Sequence, residues 1–240
     1  MRKRTSMTMT DQGREAAGST PLGRLVVGRR ELAVLTTGVG FALASPARAA
    51  NWHNIDVTGS VPRLTFTMTD AATGHTVTAK DFRGKLVMLY LGYTHCPDVC
   101  PLTLHNIAAI LHRLGKDAEN VRVLFVTVDP HRDTLPLLKQ YTALFAPASE
   151  LIGLRPDANQ LATLARRYRL AYSVTPATAT QPYTVTHSSA VYVFDRAGNA
   201  RLLVPSLAST EPDLAGTASD LERLLYSGSG GLLARLSRLF

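Results

Sequence analysis

The sequence predicts an α/β sandwich in which helices flank a mixed central sheet. Two continuous apolar runs of strand length, at residues 86–91 and 121–128, are each followed by a segment with helical spacing. Apolar runs of this kind are typical of parallel strands that are buried on both faces. A predicted hairpin on either side of these units adds antiparallel strands, and right-handed crossovers place helices on both faces of the sheet.

Eight segments carry the alternation or the apolar run of a β-strand. They are residues 64–68, 76–78, 86–91, 121–128, 151–153, 171–174, 189–194 and 200–204. The first two are joined by a turn at 70–74, and the last two form a hairpin through residues 195–199. We expect the Thr- and Pro-rich residues 175–184 to form a loop.

Four segments keep apolar residues at helical spacing. They are residues 101–115, 134–145, 157–168 and 212–226. Pro101 suits the first turn of its helix, and Asp157 is expected to cap the third helix. In open sheets, functional residues collect beyond the carboxyl ends of the strands. The loop after residues 86–91 therefore becomes the first candidate for a functional site.

Residues 1–49 are predicted to be an export signal. Arg29 and Arg30 precede a short apolar run, and Ala47 and Ala49 supply the small residues of a cleavage site. The apolar run of residues 32–44 spans only about 20 Å as a helix, whereas a bilayer core is about 30 Å thick. The arginine pair resembles a twin-arginine signal, and an uncleaved membrane-anchoring segment is the alternative. The pattern predicts export to the bacterial periplasm.

The rest of the chain is expected to contain a linker at 50–62, one folded domain at 63–226 and a flexible or amphipathic tail at 227–240. Residues 1–49 hold eight of the 26 basic and three of the 18 acidic side chains, so the remainder carries only +3 of the total formal charge of +8. It has no basic stretch interleaved with aromatic residues. Nucleic-acid binding is therefore not expected.

Both cysteines of the chain lie in residues 92–101, Gly-Tyr-Thr-His-Cys-Pro-Asp-Val-Cys-Pro. Cys96 and Cys100 would share one face of a first helical turn, where the helix dipole favours the thiolate. Two sulfurs are too few for a structural zinc site, whereas two sulfurs and an imidazole suit copper, especially Cu(I). A disulfide is equally permissible in an oxidising compartment. The residues alone leave these alternatives open.

Seven histidines could supply the imidazole: His53, His75, His95, His105, His112, His131 and His187. His187 begins the predicted strand of residues 189–194, so we expect it at the mouth of a strand that faces the cysteine loop. Its position alone does not distinguish it from a solvated loop histidine.

Three motifs in this order resemble the Sco/SenC family, whose members handle copper during the assembly of cytochrome c oxidase. They are residues 90–101, residues 128–133, and Thr186-His187-Ser188 followed by Tyr192 and Asp195, and the resemblance covers residues 60–226. It implies a thioredoxin-like sandwich in which Cys96, Cys100 and His187 bind copper as Cu(I), Cu(II) or both. Many members carry an acidic residue where this chain has Thr186, so a carboxylate that would orient His187 is missing there.

The resemblance also implies delivery of one copper ion to the copper-binding subunit of cytochrome c oxidase. Other copper-handling or thiol redox proteins are further expected partners, as is peripheral contact with a membrane. Because metal binding needs both thiolates, a Cys96–Cys100 disulfide is expected to be the form that does not bind copper. Asp129 is a candidate for positioning a ligand or contacting a partner, with a purely structural turn as the alternative.

A thiol–disulfide oxidoreductase is the alternative function. The two thiols, their loop position and the expected fold suit such an enzyme, although these enzymes usually have two residues between their cysteines. A thiol peroxidase is a weaker alternative, because it needs an arginine close to the reactive cysteine and the sequence places none there.

Overall fold

The computed structural model describes residues 51–146, 150–205 and 207–227. The predicted export signal at 1–49 and residues 228–240 of the predicted tail lie outside the described residues. Within them, the strands are β1 Ile55–Asp56, β2 Thr67–Asp70, β3 Thr76–Thr78, β4 Leu86–Gly92, β5 Val121–Thr127, β6 Leu151–Arg155, β7 Tyr172–Thr175, β8 Thr184–His187, β9 Val191–Phe194 and β10 Ala200–Val204. The α-helices are α1 Val99–Leu114, α2 Leu135–Ala143, α3 Ala158–Tyr168 and α4 Leu214–Tyr226.

The main sheet has eight strands in the order β1-β10-β9-β4-β5-β6-β2-β3. Its centre, β4-β5-β6, is parallel, and the outer strands pair antiparallel, so the predicted mixed sheet is confirmed. Every residue of β4 is buried, as its apolar run predicts. The pairing of β4 with β5 runs in register from Leu86–Val121 to Gly92–Thr127. The two strands therefore end side by side, which brings the loops that follow them together.

The predicted cap of α3 is also confirmed. Asp157 accepts a hydrogen bond from the backbone of Gln160 at 2.8 Å, and the Gln160 side chain accepts one from the backbone of Asp157 at 2.9 Å. Reciprocal bonds of this kind satisfy two amide groups that the first helical turn leaves unpaired. The helix then ends at Tyr168, also as predicted.

The structure differs from three of the predictions for the strands. The first hairpin strand is Thr67–Asp70 instead of 64–68, because Leu64 and Phe66 are buried through their side chains without joining the strand ladder. The predicted linker contains β1, which pairs with β10. His187 does not begin the strand of residues 189–194; it ends β8, which pairs with β7 in a separate two-stranded sheet. In the part of the chain described by the structure, no helix combines the length and apolarity that crossing a membrane requires.

Candidate metal centre

The cysteine loop leaves the sheet at the end of β4 and enters α1. Cys96 lies in the loop and Cys100 is the second residue of the helix, so the two do not share a helical turn as expected. The side chain of Asp98, the residue that precedes α1, makes no capping hydrogen bond. Instead, the backbone N–H of Cys100 donates to Cys96 Sγ at 3.3 Å. A sulfur thus occupies the place that a capping oxygen usually takes at the start of a helix.

Three potential ligand atoms converge at this point: Cys96 Sγ, Cys100 Sγ and one ring nitrogen of His187. All three lie within 4.8 Å of one another, and His187 Nε2 is 3.2 Å from Cys100 Sγ. Metal–sulfur and metal–nitrogen bonds of about 2.0–2.3 Å keep the ligands of a single ion within about 4–4.6 Å of each other. The group therefore has the dimensions of a site for one ion. Both cysteines are free thiols.

The ring of His187 is oriented by the main chain. His187 Nδ1 lies 3.0 Å from the carbonyl oxygen of Ser188, and because a carbonyl can only accept, Nδ1 must carry the proton and donate. Nε2 is then the unprotonated nitrogen, and it faces Cys100. The hydrogen bond fixes the tautomer that a metal ligand needs. This hydrogen bond orients the ring of His187, as an acidic residue at the position of Thr186 would otherwise do.

The rings of two tyrosines pack against the ring of His187. The ring of Tyr93 meets it edge to face at a centroid distance of 5.8 Å, and the ring of Tyr90 does so at 6.1 Å. Edge-to-face contacts between aromatic rings are favourable and directional. The imidazole is therefore restrained both by a hydrogen bond and by packing.

The two sulfurs differ sharply in their affinity for a proton. A hydrogen bond from the Cys100 thiol, with smaller contributions from backbone groups, lowers the pKa of Cys96 to about 3. The same hydrogen bond and burial raise the pKa of Cys100. In the reduced protein, Cys96 is thus a thiolate, half-buried, while the proton stays on the fully buried Cys100.

We expect the alkylation rate of Cys96 by iodoacetamide to change little between pH 4.5 and 7. Because its pKa lies below this window, the thiolate fraction is nearly constant, whereas an ordinary thiol loses about tenfold per pH unit. Mass spectrometry of the modified reduced protein measures the rate at each cysteine. Cys100→Ala removes the donor and should restore a steep pH dependence. An alkylation rate of Cys96 that falls tenfold per pH unit in the wild type would contradict this low pKa.

Asp133 is a residue of this site that the sequence analysis did not select. Its buried carboxylate accepts hydrogen bonds from the Thr94 backbone at 3.0 Å, from the Thr94 hydroxyl at 2.6 Å and from the Thr127 hydroxyl at 2.6 Å. It therefore ties the cysteine loop to the end of β5. Asp133 belongs to the second motif at residues 128–133, which was the only signal that could have identified it.

Asp129 is buried, but its hydrogen bonds are not made to the three potential ligands. Its carboxylate accepts from the Tyr183 hydroxyl at 2.8 Å and pairs with Arg132. The Arg132 guanidinium lies over the Tyr183 ring at 3.8 Å and near the Tyr93 ring at 5.8 Å. Asp129 is thus linked to the ligand group indirectly, through Arg132 and through Tyr93, whose ring contacts His187.

The remaining histidines do not join the ligand group. In the described residues, the one cluster with metal-ligand spacing is that of Cys96, Cys100 and His187. The others are exposed at separate places on the surface: His53, His75, His95, His105, His112 and His131. His95 comes nearest in sequence, yet its ring contacts Thr94 and Asp133 instead.

The chain is similar to proteins of one family, both in sequence and in fold. The sequence model of the SCO1/SenC family matches residues 60–222, more than half of the chain. The structure of Bradyrhizobium japonicum ScoI with copper bound superposes with a TM-score of 0.59, at 37% identity over 68% of this chain and 99% of that chain. This likeness confirms the predicted thioredoxin-like sandwich.

Mitochondrial proteins are among the similar sequences. The SCO2 homologue of Mus musculus is 34% identical over 174 residues, which are 69% of this chain and 67% of that protein. The SCO2 homologue of Bos taurus is 42% identical over 120 residues, 49% of this chain and 44% of that protein. The chain thus spans about half the length of most of the curated relatives it matches.

Proposed function

The chain belongs to the SCO1/SenC family, and from this premise we propose that it is an exported copper chaperone. It binds one copper ion through Cys96, Cys100 and His187 and delivers the ion to the copper-binding subunit of cytochrome c oxidase. The observation that carries the proposal is the convergence of these three ligand atoms within 4.8 Å.

The donor set favours copper. Two thiolates and one imidazole are soft ligands that suit Cu(I), and the same three atoms can also hold Cu(II). A structural zinc site takes four protein ligands, and the described residues bring only three together here. The Bradyrhizobium relative, at 37% identity, is itself described with copper bound. Its copper supports the same cargo for this chain.

The three proposed ligands have different roles in the loading and release of the ion. Cys96 meets the ion as a thiolate, whereas Cys100 gives up its proton as it binds, so loading releases one proton. Cys100 is fully buried, while Cys96 and His187 are half-buried. The ligands of a partner therefore reach the ion from the side of Cys96 and His187. Release then begins with exchange of one of these two ligands.

The half-buried Cys96 thiolate also favours a second candidate function, reduction of a partner disulfide. Cys96 attacks one sulfur of the partner and displaces the other as a thiolate. Cys100 then loses its proton and attacks Cys96, which frees the second partner sulfur and leaves a Cys96–Cys100 disulfide. The partner gains two electrons and the chain loses two.

The export of the chain remains part of the proposal. Residues 1–49 are expected to direct it to the periplasm. They are followed by residues 50–62, which include β1, by the copper-binding domain at 63–226 and by a tail at 227–240 that contacts the membrane surface or stays flexible. Cell fractionation tests this assignment. A periplasmic protein shortened by about 5 kDa supports a cleaved signal, and a full-length cytoplasmic protein contradicts it.

A transfer assay separates the two functions. The copper-loaded chain is mixed with the metal-free copper-binding domain of the oxidase subunit, and the absorption of its dinuclear copper centre is followed. We expect transfer from the wild type and none from His187→Ala, which lacks one ligand. Reduction of the subunit disulfide is measured in parallel with the metal-free chain. Undiminished reduction by His187→Ala without copper transfer from the wild type would favour the oxidoreductase.

A further inference from the structure

Three buried hydroxyl groups have no hydrogen-bond partner in the described part of the chain: those of Tyr90, Thr103 and Tyr141. Tyr90 and Thr103 are completely buried, so water does not reach them from outside. Unpaired buried hydroxyls cost free energy and are rare in folded proteins. Each of them therefore needs a physical reason.

Tyr90 lies directly beneath the buried cysteine. Side chains alternate along a strand, so Tyr90 and Gly92 of β4 face the same side of the sheet. Cys100 Sγ packs on that side, only 2.9 Å from where a side-chain carbon of residue 92 would stand. The Tyr90 ring also contacts His187 at 6.1 Å. The phenol is thus next to two of the three potential ligands.

Thr103 approaches the same sulfur from the helix. It follows Cys100 by three residues in α1, and residues with this spacing lie on one face of a helix. Both Thr103 and Cys100 influence the pKa of Tyr90, although neither reaches hydrogen-bonding geometry with its hydroxyl. A phenol has an ordinary pKa of about 10, so it keeps its proton as a potential donor at neutral pH.

The charge of Cys100 changes when an ion is loaded. A neutral thiol sulfur is only a weak acceptor, whereas a cysteine binds a metal ion as a thiolate. Two thiolates around Cu(I) leave a net negative charge, part of it on a sulfur that has no contact with water. A buried charge of this kind requires a hydrogen-bond donor. The hydroxyl of Tyr90 is a buried donor next to this sulfur.

We propose that Tyr90 is a positioning residue of the metal centre, whose hydroxyl donates a hydrogen bond to Cys100 Sγ when that sulfur becomes a metal-bound thiolate. This inference rests on the proposed binding of copper. The unpaired hydroxyl in the metal-free protein is then a donor held ready for the loaded state. Thr103 assists by donating to the phenol oxygen. Hydrogen bonds to a metal-bound sulfur tune both the affinity and the electronic properties of the metal.

The test compares Tyr90→Phe with Tyr192→Phe, which removes a buried phenol hydroxyl on the opposite face of the sheet, where it donates to the Tyr168 carbonyl. Three properties of each full-length reduced variant are measured: the energy of the sulfur-to-Cu(II) charge-transfer band, Cu(I) affinity by competition with a chelator, and the melting temperature of the metal-free form. We expect Tyr90→Phe to shift the band to lower energy and to weaken Cu(I) binding about 10-fold. Its metal-free melting temperature should not fall, because no hydrogen bond is lost in that form.

Tyr192→Phe should leave the band and the affinity at their wild-type values. Thr103→Val gives a second reading that leaves the Tyr90 hydroxyl in place, with a smaller band shift in the same direction. The inference is overturned if the wild type binds copper while Tyr90→Phe has the same band energy and affinity. A wild-type chain that binds no copper overturns the proposed function and this inference together.

Discussion

His187→Ala is expected to weaken Cu(I) binding by the reduced protein more than 100-fold. Removing a residue that only orients a ligand typically costs about 10–100-fold in affinity, and His187 is itself the proposed ligand. Its Nε2 lies 3.2 Å from Cys100 Sγ and carries no proton of its own, because Nδ1 donates to the Ser188 carbonyl. The remaining two sulfurs would hold Cu(I) without the imidazole. Competition titration against a chelator of known affinity measures the loss.

His131→Ala is the matched control, since His131 is exposed and stands outside the ligand group. We expect its affinity to equal that of the wild type. His187→Gln is also informative, because it keeps a polar side chain but cannot offer the imidazole nitrogen. An affinity of His187→Ala within about threefold of the wild type, a difference below 1 kcal/mol, would remove His187 from the ligand set.

Gly92→Ala is expected to destabilise the fold and the site together. A side-chain carbon at residue 92 would overlap Phe125 Cε2 and stand 2.9 Å from Cys100 Sγ. Neither neighbour can retreat easily, because both Phe125 and Cys100 are completely buried. Overpacking of a core typically costs about 1–3 kcal/mol. For a domain of this size, that lowers the melting temperature by about 2–12 °C.

Copper binding should weaken in the same variant, because the added methyl group displaces the Cys100 sulfur. Urea unfolding and the competition titration measure the two effects. Phe125→Leu removes the aromatic edge that the new carbon meets, so the double variant Gly92→Ala/Phe125→Leu should lose less stability than the two single changes add up to. A Gly92→Ala variant that is as stable as the wild type and binds copper equally well would show that residue 92 tolerates a side chain.

The central part of the fold could be predicted because its signals are local. The apolar run of β4 indicates a strand that is buried at every position, and the residue types of Asp157 and Gln160 indicate the cap of α3. The strands β1 and β8 were missed for the opposite reason. β1 has only two residues, both exposed, and exists because β10 supplies its partner. β8 has four residues, none of them fully buried, and exists because β7 supplies its partner.

The candidate site shows the same division. Both cysteines were evident from their spacing, and His187 was selected through the resemblance to a family. Its hydrogen bond to Ser188 could not be predicted, because it depends on where β8 ends. Asp133 contacts Thr127 and also Thr94, which lies 39 residues away in the sequence. Such contacts follow from the parallel pairing of β4 and β5.

The central claim is that one copper ion is bound by two sulfurs and one imidazole nitrogen of a single chain. X-ray absorption spectroscopy of the reduced, full-length protein loaded with Cu(I) measures the ligands directly, and metal analysis gives the stoichiometry. We predict one copper per chain, with two sulfur ligands and one imidazole nitrogen, and loss of bound copper in the double variant Cys96→Ser/Cys100→Ser. Copper that keeps the same ligand environment in this double variant would contradict the assignment.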